Sequence, residues 1–185
     1  MGRNKNFERN AVLDKAIQVF WRKGIADATL QDLEKATGVN KSGLYAEFQD
    51  KEDLFCESLK RYRDTHPALE ILNRSPMGWD NIRNYWKIGI RCSGQKGCYF
   101  ANTLREAALI PARAKTILFG YTREIREAIL ANLRHTKSGK NTDVLADLIL
   151  TIGAGNSLKL NVMDPALVER EIDSYIDLLR ETNLV

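Results

Sequence analysis

The stretch Thr29-Leu-Gln-Asp-Leu-Glu-Lys-Ala-Thr-Gly-Val-Asn-Lys-Ser-Gly-Leu-Tyr-Ala-Glu-Phe-Gln-Asp-Lys-Glu-Asp-Leu-Phe55 decides how this chain is read. Thr29, with Asp32 three residues on, has the form of a helix N-cap whose hydroxyl and carboxylate satisfy orphan amides, opening a short helix that carries Leu30, Leu33 and Ala36. Gly38 stops it. One residue later Asn40 caps a second short helix, from Lys41 to about Phe48, with Leu44 and Phe48 on its inner face. Asp50, with Asp53 behind it, caps a third that runs through Leu54, Phe55, Leu59 and Tyr62 toward Pro67, where the chain must bend, restart or kink. Two short helices joined by the tight Gly38-Val39-Asn40 turn form a helix-turn-helix arrangement. The second helix of such a pair is the reader. Its first residues Asn40, Lys41, Ser42 and Gly43 are small, polar or cationic, which suits insertion into a major groove where base edges offer hydrogen-bond partners. Tyr45 can give its phenol to a phosphate while its ring packs inward, and Lys51 adds charge at a helix start where amides already favour an anion.

Working outward, nearly every segment keeps helical period. From Glu8 to Lys23 the positions Leu13, Ala16, Ile17, Phe20 and Trp21 form one apolar stripe, which Gly24 ends. Downstream, Ser75-Pro76 predicts an N-cap with proline at the first helical position, opening a helix through Ile82, Tyr85, Trp86 and Ile90 that breaks at Gly94 to Gly97. A helix from about Cys98 to Leu109 ends before Pro111, and a long one follows through Ile117, Leu118, Tyr121, Ile125, Ile129 and Leu133, closed by Ser138 and Gly139. Thr142 is placed to cap a helix through Leu145, Leu148, Ile149 and Ile152 to Met163, and Asp164-Pro165 opens the last, through Val168, Ile172, Tyr175, Ile176 and Leu179. The sum is about nine helices with no convincing strand and no solenoid repeat, an all-α chain.

Composition sets outer bounds. At 185 residues, 44% hydrophobic and 28% charged, with 12 Gly and 4 Pro, the chain has the profile of a soluble globular protein, either one domain or a small one fused to a larger. The net charge of +4 is unevenly spread: +2 over residues 1–63, +7 over 64–140 and −5 over 141–185. No segment is a polycationic tail, so charge alone does not point to nucleic acid. Cys56, Cys92, Cys98, His66 and His135 lack the spacing of a zinc site, and no metal or other cofactor is expected. The longest apolar candidate, Val144 to Ile152, is interrupted by Asp147 and Thr151, well short of the roughly 18 residues of a membrane span. The sparse cysteines and the missing signal pattern lead to a cytoplasmic expectation. No Gly-x-Ser-x-Gly, Walker loop or histidine constellation suggests an enzyme, and the Gly153/Gly155 pair reads better as close helix approach than as a phosphate cradle.

The quoted run resembles the N-terminal domain of TetR (tetracycline-repressor)/AcrR-type regulators. The spacing of Thr29, Ala36, Gly38-Val39, Leu44-Tyr45, Phe48 and Lys51-Glu52 matches without a gap, and with Phe20 and Gly24 it covers about the first third of the chain. Beyond residue 66 the likeness is weaker, although Gly97-Cys98-Tyr-Phe-Ala-Asn102-Thr103 resembles a stretch found in one branch of the family. The resemblance implies an all-helical homodimer: a helix-turn-helix head over residues 1–66, its motif at about 30–49, and a ligand-binding and dimerising body over 67–185. Such a protein binds a palindromic double-stranded operator and is usually a repressor released by a small-molecule effector. By the same likeness Thr29, Tyr45 and Lys51 lie on phosphates, and Asn40, Lys41, Ser42 and Gly43 lie near base edges. This chain departs from many members at Glu47, just before the phenylalanine. A carboxylate there repels phosphate if it points at the backbone; it either faces away, the preferred reading, or accepts from a cytosine amine.

Blander readings stand beside these. Lys41 or Lys51 could be plain surface lysines, and Arg3 and Lys5 could form a minor-groove arm or a disordered terminus. Tyr62, Trp86, Phe100, Phe119, Tyr121 and Asn156 are the candidates for lining an effector cavity, though aromatics at this spacing are more often ordinary core. Cys92 and Cys98 straddle a turn, a redox pair only as a minority reading. The apolar stripes from Val144 and Val168 suit an intersubunit four-helix bundle with Asp147, Glu169 and Asp173 on outer faces. The competing function is a helical small-molecule-binding or interaction protein whose head no longer reads DNA.

Overall fold

The computed structural model describes residues 7–91, 97–136 and 141–181. Arg3, Lys5, Cys92, Gly94, Ser138 and Gly139, which entered the sequence reading, lie outside them. Among the described residues there are ten α-helices and no strand: α1 Arg9–Asp27, α2 Leu30–Thr37, α3 Lys41–Glu47, α4 Lys51–Thr65, α5 Ala68–Leu72, α6 Trp79–Trp86, α7 Tyr99–Leu104, α8 Ala112–Arg134, α9 Thr142–Lys159 and α10 Pro165–Glu181. A short 3-10 turn, Ile88–Arg91, follows α6. The all-α expectation is met.

The chain divides into two compact units. The first holds residues up to Thr65 together with Asn102–Phe119, and the second holds His66–Ala101 and Gly120 onward, so the division falls within α7 and within α8. In the first unit α1 and α4 pack along each other, with edge-to-face rings at Phe20–Phe55 (5.1 Å) and Trp21–Tyr62 (5.4 Å). Leu33 from α2, Leu44 from α3 and Phe48 just beyond its end close that core, each essentially without exposure. The apolar residues of the two short helices therefore serve to fix them against α1 and α4, leaving their opposite faces to solvent.

In the second unit the Trp86 indole donates to the Ile149 carbonyl at 3.1 Å, and a Cβ on Gly153 would stand 2.8 Å from that indole nitrogen. Gly153 thus lets α9 approach α6, while nothing crowds Gly155. Arg83 of α6 and Lys87 just after it pair with Asp173, Asp177 and Glu169 of α10, so these acids tie the helices of one chain together.

Several helix ends differ from expectation, each for a local reason. Gly24 breaks α1 at φ +77°, but one further helical turn, to Asp27, follows it. Ser75-Pro76 does not open a helix: Asn81 donates to the carbonyls of Arg74 and Pro76, and Gly78 donates to Asn132, which holds this stretch as a loop until Trp79. Asn141, not Thr142, is the residue before α9, and α9 ends at Lys159 rather than Met163. The α-helix predicted to reach Leu109 stops at Leu104 and continues as tighter i to i−3 turns through Glu106 and Ala107.

Candidate nucleic-acid interface

The turn and the reading helix are built from side chains that close on their own backbone. Thr29 caps α2 by accepting from the Asp32 amide at 3.1 Å, while Asp32 accepts from the Thr29 amide and hydroxyl. Lys23 also binds Asp32, at 2.7 Å, and with Thr29 holds its carboxyl far below the usual carboxylate range. The Thr29 proton is therefore committed to Asp32, and donating it to a phosphate requires that bond to open. Gly38 takes the left-handed conformation that ends α2, and two residues later Asn40 accepts from the Gly43 amide at 2.9 Å. Gly43 has to lack a side chain for a reason internal to the turn: a Cβ there would meet Val39 at 2.7 Å. Glu34 accepts the Lys41 amide. With these first amides satisfied inside the chain, the reading end of α3 presents side chains rather than a bare helix terminus.

Those side chains face outward. Asn40, Lys41 and Ser42 are exposed, and Tyr45 is 40% exposed, unlike its buried neighbour Leu44. The Lys41 ammonium lies 5.8 Å from the Tyr45 ring centroid, a spacing at which ring and cation attract, so the two reach solvent as a pair. Lys51 is placed differently from a free surface charge: its ammonium donates to the carbonyls of Ile25 (2.8 Å) and Ala28 (3.1 Å), closing the end of α1 and keeping one proton for another acceptor. Glu47 turns to α1, where Arg9 meets it at 3.0 Å while lying 5.1 Å from the Phe48 ring centroid. That pairing ties the end of α3 to the start of α1.

Against α1 and α4 lie residues that sequence reasoning missed. Glu106 accepts from the amides of Ile25 (2.7 Å) and Ala26 (3.3 Å), the turn that restarts after Gly24. Arg113 of α8 donates to Asp53 at 2.5 Å and to Glu57, both on α4. Partial burial pushes the Asp53 carboxyl up, but Arg113 and the Gln49 amide outweigh it and hold the group below its ordinary value. For Glu57 burial is likewise outweighed, here by Lys60 and Arg9. The quoted motif carries no signal for these partners, because the contacts span 81 and 60 residues.

The cavity candidates separate. Tyr62 and Phe119 belong to the first unit, Tyr62 packed on Trp21 and Phe119 73% exposed. In the second unit Phe100 meets Tyr121 edge-to-face at 4.7 Å, and the Tyr121 hydroxyl lies 3.0 Å from His66 Nδ1. Burial pulls the His66 imidazole down to about 4, so it stands neutral at physiological pH. Trp86 lines a small cavity of about 40 Å³ with His66, Tyr85, Cys98, Gly153 and Ser157. The Tyr85 phenol is pushed up by burial, then by Cys98. Asn156 is buried on α9, and its amide nitrogen has no hydrogen-bond acceptor among the described residues. Those residues include no group of three metal-ligating side chains, and none of their helices is long and apolar enough to cross a membrane.

Comparison with known proteins matches this geometry. Residues 12–57 match the family described as bacterial regulatory proteins, tetR family. The chain is 49% identical over 108 residues to the HTH-type transcriptional repressor ComR of Escherichia coli, a match covering 55% of this chain and 51% of ComR. It thus spans about half the length of that relative. Among solved structures, SCO4454, a TetR-family transcriptional regulator from Streptomyces coelicolor, superposes with a TM-score of 0.82 at 18% identity over 93% of each chain. A cysteine mutant of the TetR-family regulator CifR, complexed with a 26 bp double-strand operator DNA, superposes at 0.78 with 21% identity, over 95% of this chain and 98% of that one.

Proposed function

The chain belongs to the TetR/AcrR family of transcriptional regulators, and from that premise we propose that it is a sequence-specific repressor that binds a palindromic operator as a homodimer and is released by a small-molecule effector. One observation carries the reading: an α3 whose Lys41 and Gly43 amides are taken up within the chain and whose Lys41, Ser42 and Tyr45 reach solvent together. Lys41 and Ser42, with the Asn40 amide group, are assigned to base edges, Gly43 to the close approach of backbone and groove, and the Tyr45 hydroxyl to a phosphate. Lys51 is assigned to a phosphate through its remaining proton. Thr29 joins them only by giving up its bond to Asp32. The head is taken as residues 1–66 and the regulatory body as 67–185, and within the second unit Trp86, which lines the small cavity, is assigned to the effector site together with Phe100, Tyr121 and Asn156. At about 40 Å³ the cavity beside Trp86 must widen to admit anything beyond a few heavy atoms.

Homodimerisation is supported by α9. Val144, Leu148, Thr151, Gly155 and Leu158 repeat at alternating four- and three-residue steps and all are exposed, while Leu145, Ala146 and Ile149 of the same helix are buried. An apolar stripe with its own buried counterpart is a second packing surface, and a copy of the same helix fits it symmetrically.

The test is selection of the full chain against random duplex DNA at near-physiological salt, beside a Lys41→Ala, Tyr45→Ala variant. An inverted repeat enriched by the wild type and lost by a folded variant supports the reading. Absence of enrichment by dimeric, folded protein points to a helical binding protein whose head no longer reads DNA.

A further inference from the structure

Five charged side chains connect the second residue position of α8 to the far end of the reading helix. Arg113 bridges Asp53 and Glu57, which stand one turn apart on α4, where two carboxylates alone repel. Glu57 in turn takes Arg9 at 2.8 Å, and Arg9 takes Glu47 at 3.0 Å, at the last residue of α3. The other oxygen of Asp53 accepts the Gln49 amide at 3.1 Å, in the turn that leaves α3. The carboxylates are largely screened from water, with side-chain exposures of 17% for Asp53, 16% for Glu57 and 12% for Glu47, while Arg113 and Arg9 remain 47% and 39% exposed, so the network acts through its geometry more than through any one strong bridge. Every link lies within the first unit, to which residues 102–119 belong.

We infer that Arg113 is a positioning residue for the reading helix: by forking Asp53 and Glu57 it sets the register from which Arg9 and the Gln49 amide fix the end of α3. The chemistry suits arginine, whose planar fork serves two carboxylates at once, whereas a lysine is a point charge. The inference rests on α3 being the helix that reads DNA, but its first test needs no DNA.

That test is amide hydrogen exchange on the full chain carrying Arg113→Gln. The amides of Leu44, Phe48 and Gln49 are expected to exchange about tenfold faster, with α9 and α10 unchanged. Arg113→Lys is expected to give an intermediate rate, and Arg113→Gln to have a smaller effect in a Glu57→Gln background, where the repulsion it relieves is gone. Unchanged exchange in α3, or acceleration spread evenly over α3, α9 and α10, overturns the assignment. On a duplex obtained by selection, Arg113→Gln is expected to weaken binding about tenfold with an unchanged salt slope. A slope reduced by about one would make Arg113 a phosphate contact instead. If no duplex is enriched, the DNA reading falls while the exchange rates still decide the role of Arg113.

Discussion

The carboxylate of Glu106 occupies the space that a side chain on Gly24 would need: a Cβ built there lies 2.2 Å from its nearer oxygen. Gly24 also has φ +77° and ψ 175°, a conformation essentially reserved for glycine. Gly24→Ala therefore meets two costs, backbone strain and displacement of the acceptor for the Ile25 and Ala26 amides. We expect a loss of about 3 kcal/mol in urea unfolding. A loss below about 0.5 kcal/mol, within the range of ordinary surface changes, would show that the contact is not maintained in solution.

Tyr45 has a ring paired with Lys41 and a hydroxyl free to be tested separately from it. Tyr45→Phe keeps the ring beside the lysine and removes only the phenolic donor. On a selected duplex it is expected to lower affinity by about ten- to a hundredfold with no change in thermal stability, the worth of one hydrogen bond to a charged acceptor. Lys41→Ala is expected to lower affinity by about 1–3 kcal/mol if the ammonium reads a base, and to relax preference at one operator position. A loss uniform across operator sequences would move Lys41 to the backbone-contacting set.

How much of this was legible in the sequence follows from range. Thr29 with Asp32, Asn40 with Gly43, and Asp164 before Pro165 act over three residues or fewer, and each does in the structure what its spacing indicates. Ser75 obeys the same local rule and fails, because Asn81 and Asn132 claim the loop around it. The orientation of Glu47 depended on Arg9, and the support of α1 and α4 depended on Glu106 and Arg113. Such contacts exist only after the chain has folded back on itself, and a surface glutamate or arginine gives no periodic sign of them. Phe119 shows the same limit from the other side: helical register alone does not say which aromatics turn inward, and in the structure this ring is exposed.

His66 predicts a pH dependence of stability. Its imidazole falls from an ordinary 6.5 to about 4 through burial, so between those values the unfolded chain binds a proton that the folded chain does not. Stability from this group is complete above pH 6.5 and is lost as pH falls toward 4, to a total on the order of 2–3 kcal/mol. His66→Gln, which keeps a polar partner for the Tyr121 hydroxyl, should lack that part of the slope. Urea unfolding of both proteins from pH 7.5 to 4.5 isolates it, because the titrating carboxylates are common to the two. Parallel curves would mean that water reaches the imidazole.

Leu148 lies at the middle of the exposed α9 stripe and is 40% exposed, whereas Ile149 beside it is buried. Leu148→Glu should therefore leave the fold of one chain intact and act on the pairing of two. A carboxylate placed on a symmetric interface meets its own copy, so repulsion adds to lost apolar burial, at a cost of about 3 kcal/mol or more. Sedimentation at micromolar concentration is expected to show the wild type at about twice 21.0 kDa and the variant at the mass of one chain. DNA binding should fall with it: half-sites about 34–36 Å apart are gripped together only by a dimer, and a single head retains little beyond non-specific affinity. If the variant remains dimeric, the pairing surface lies elsewhere; if it is monomeric and keeps full affinity for an inverted repeat, the two-headed grip is wrong.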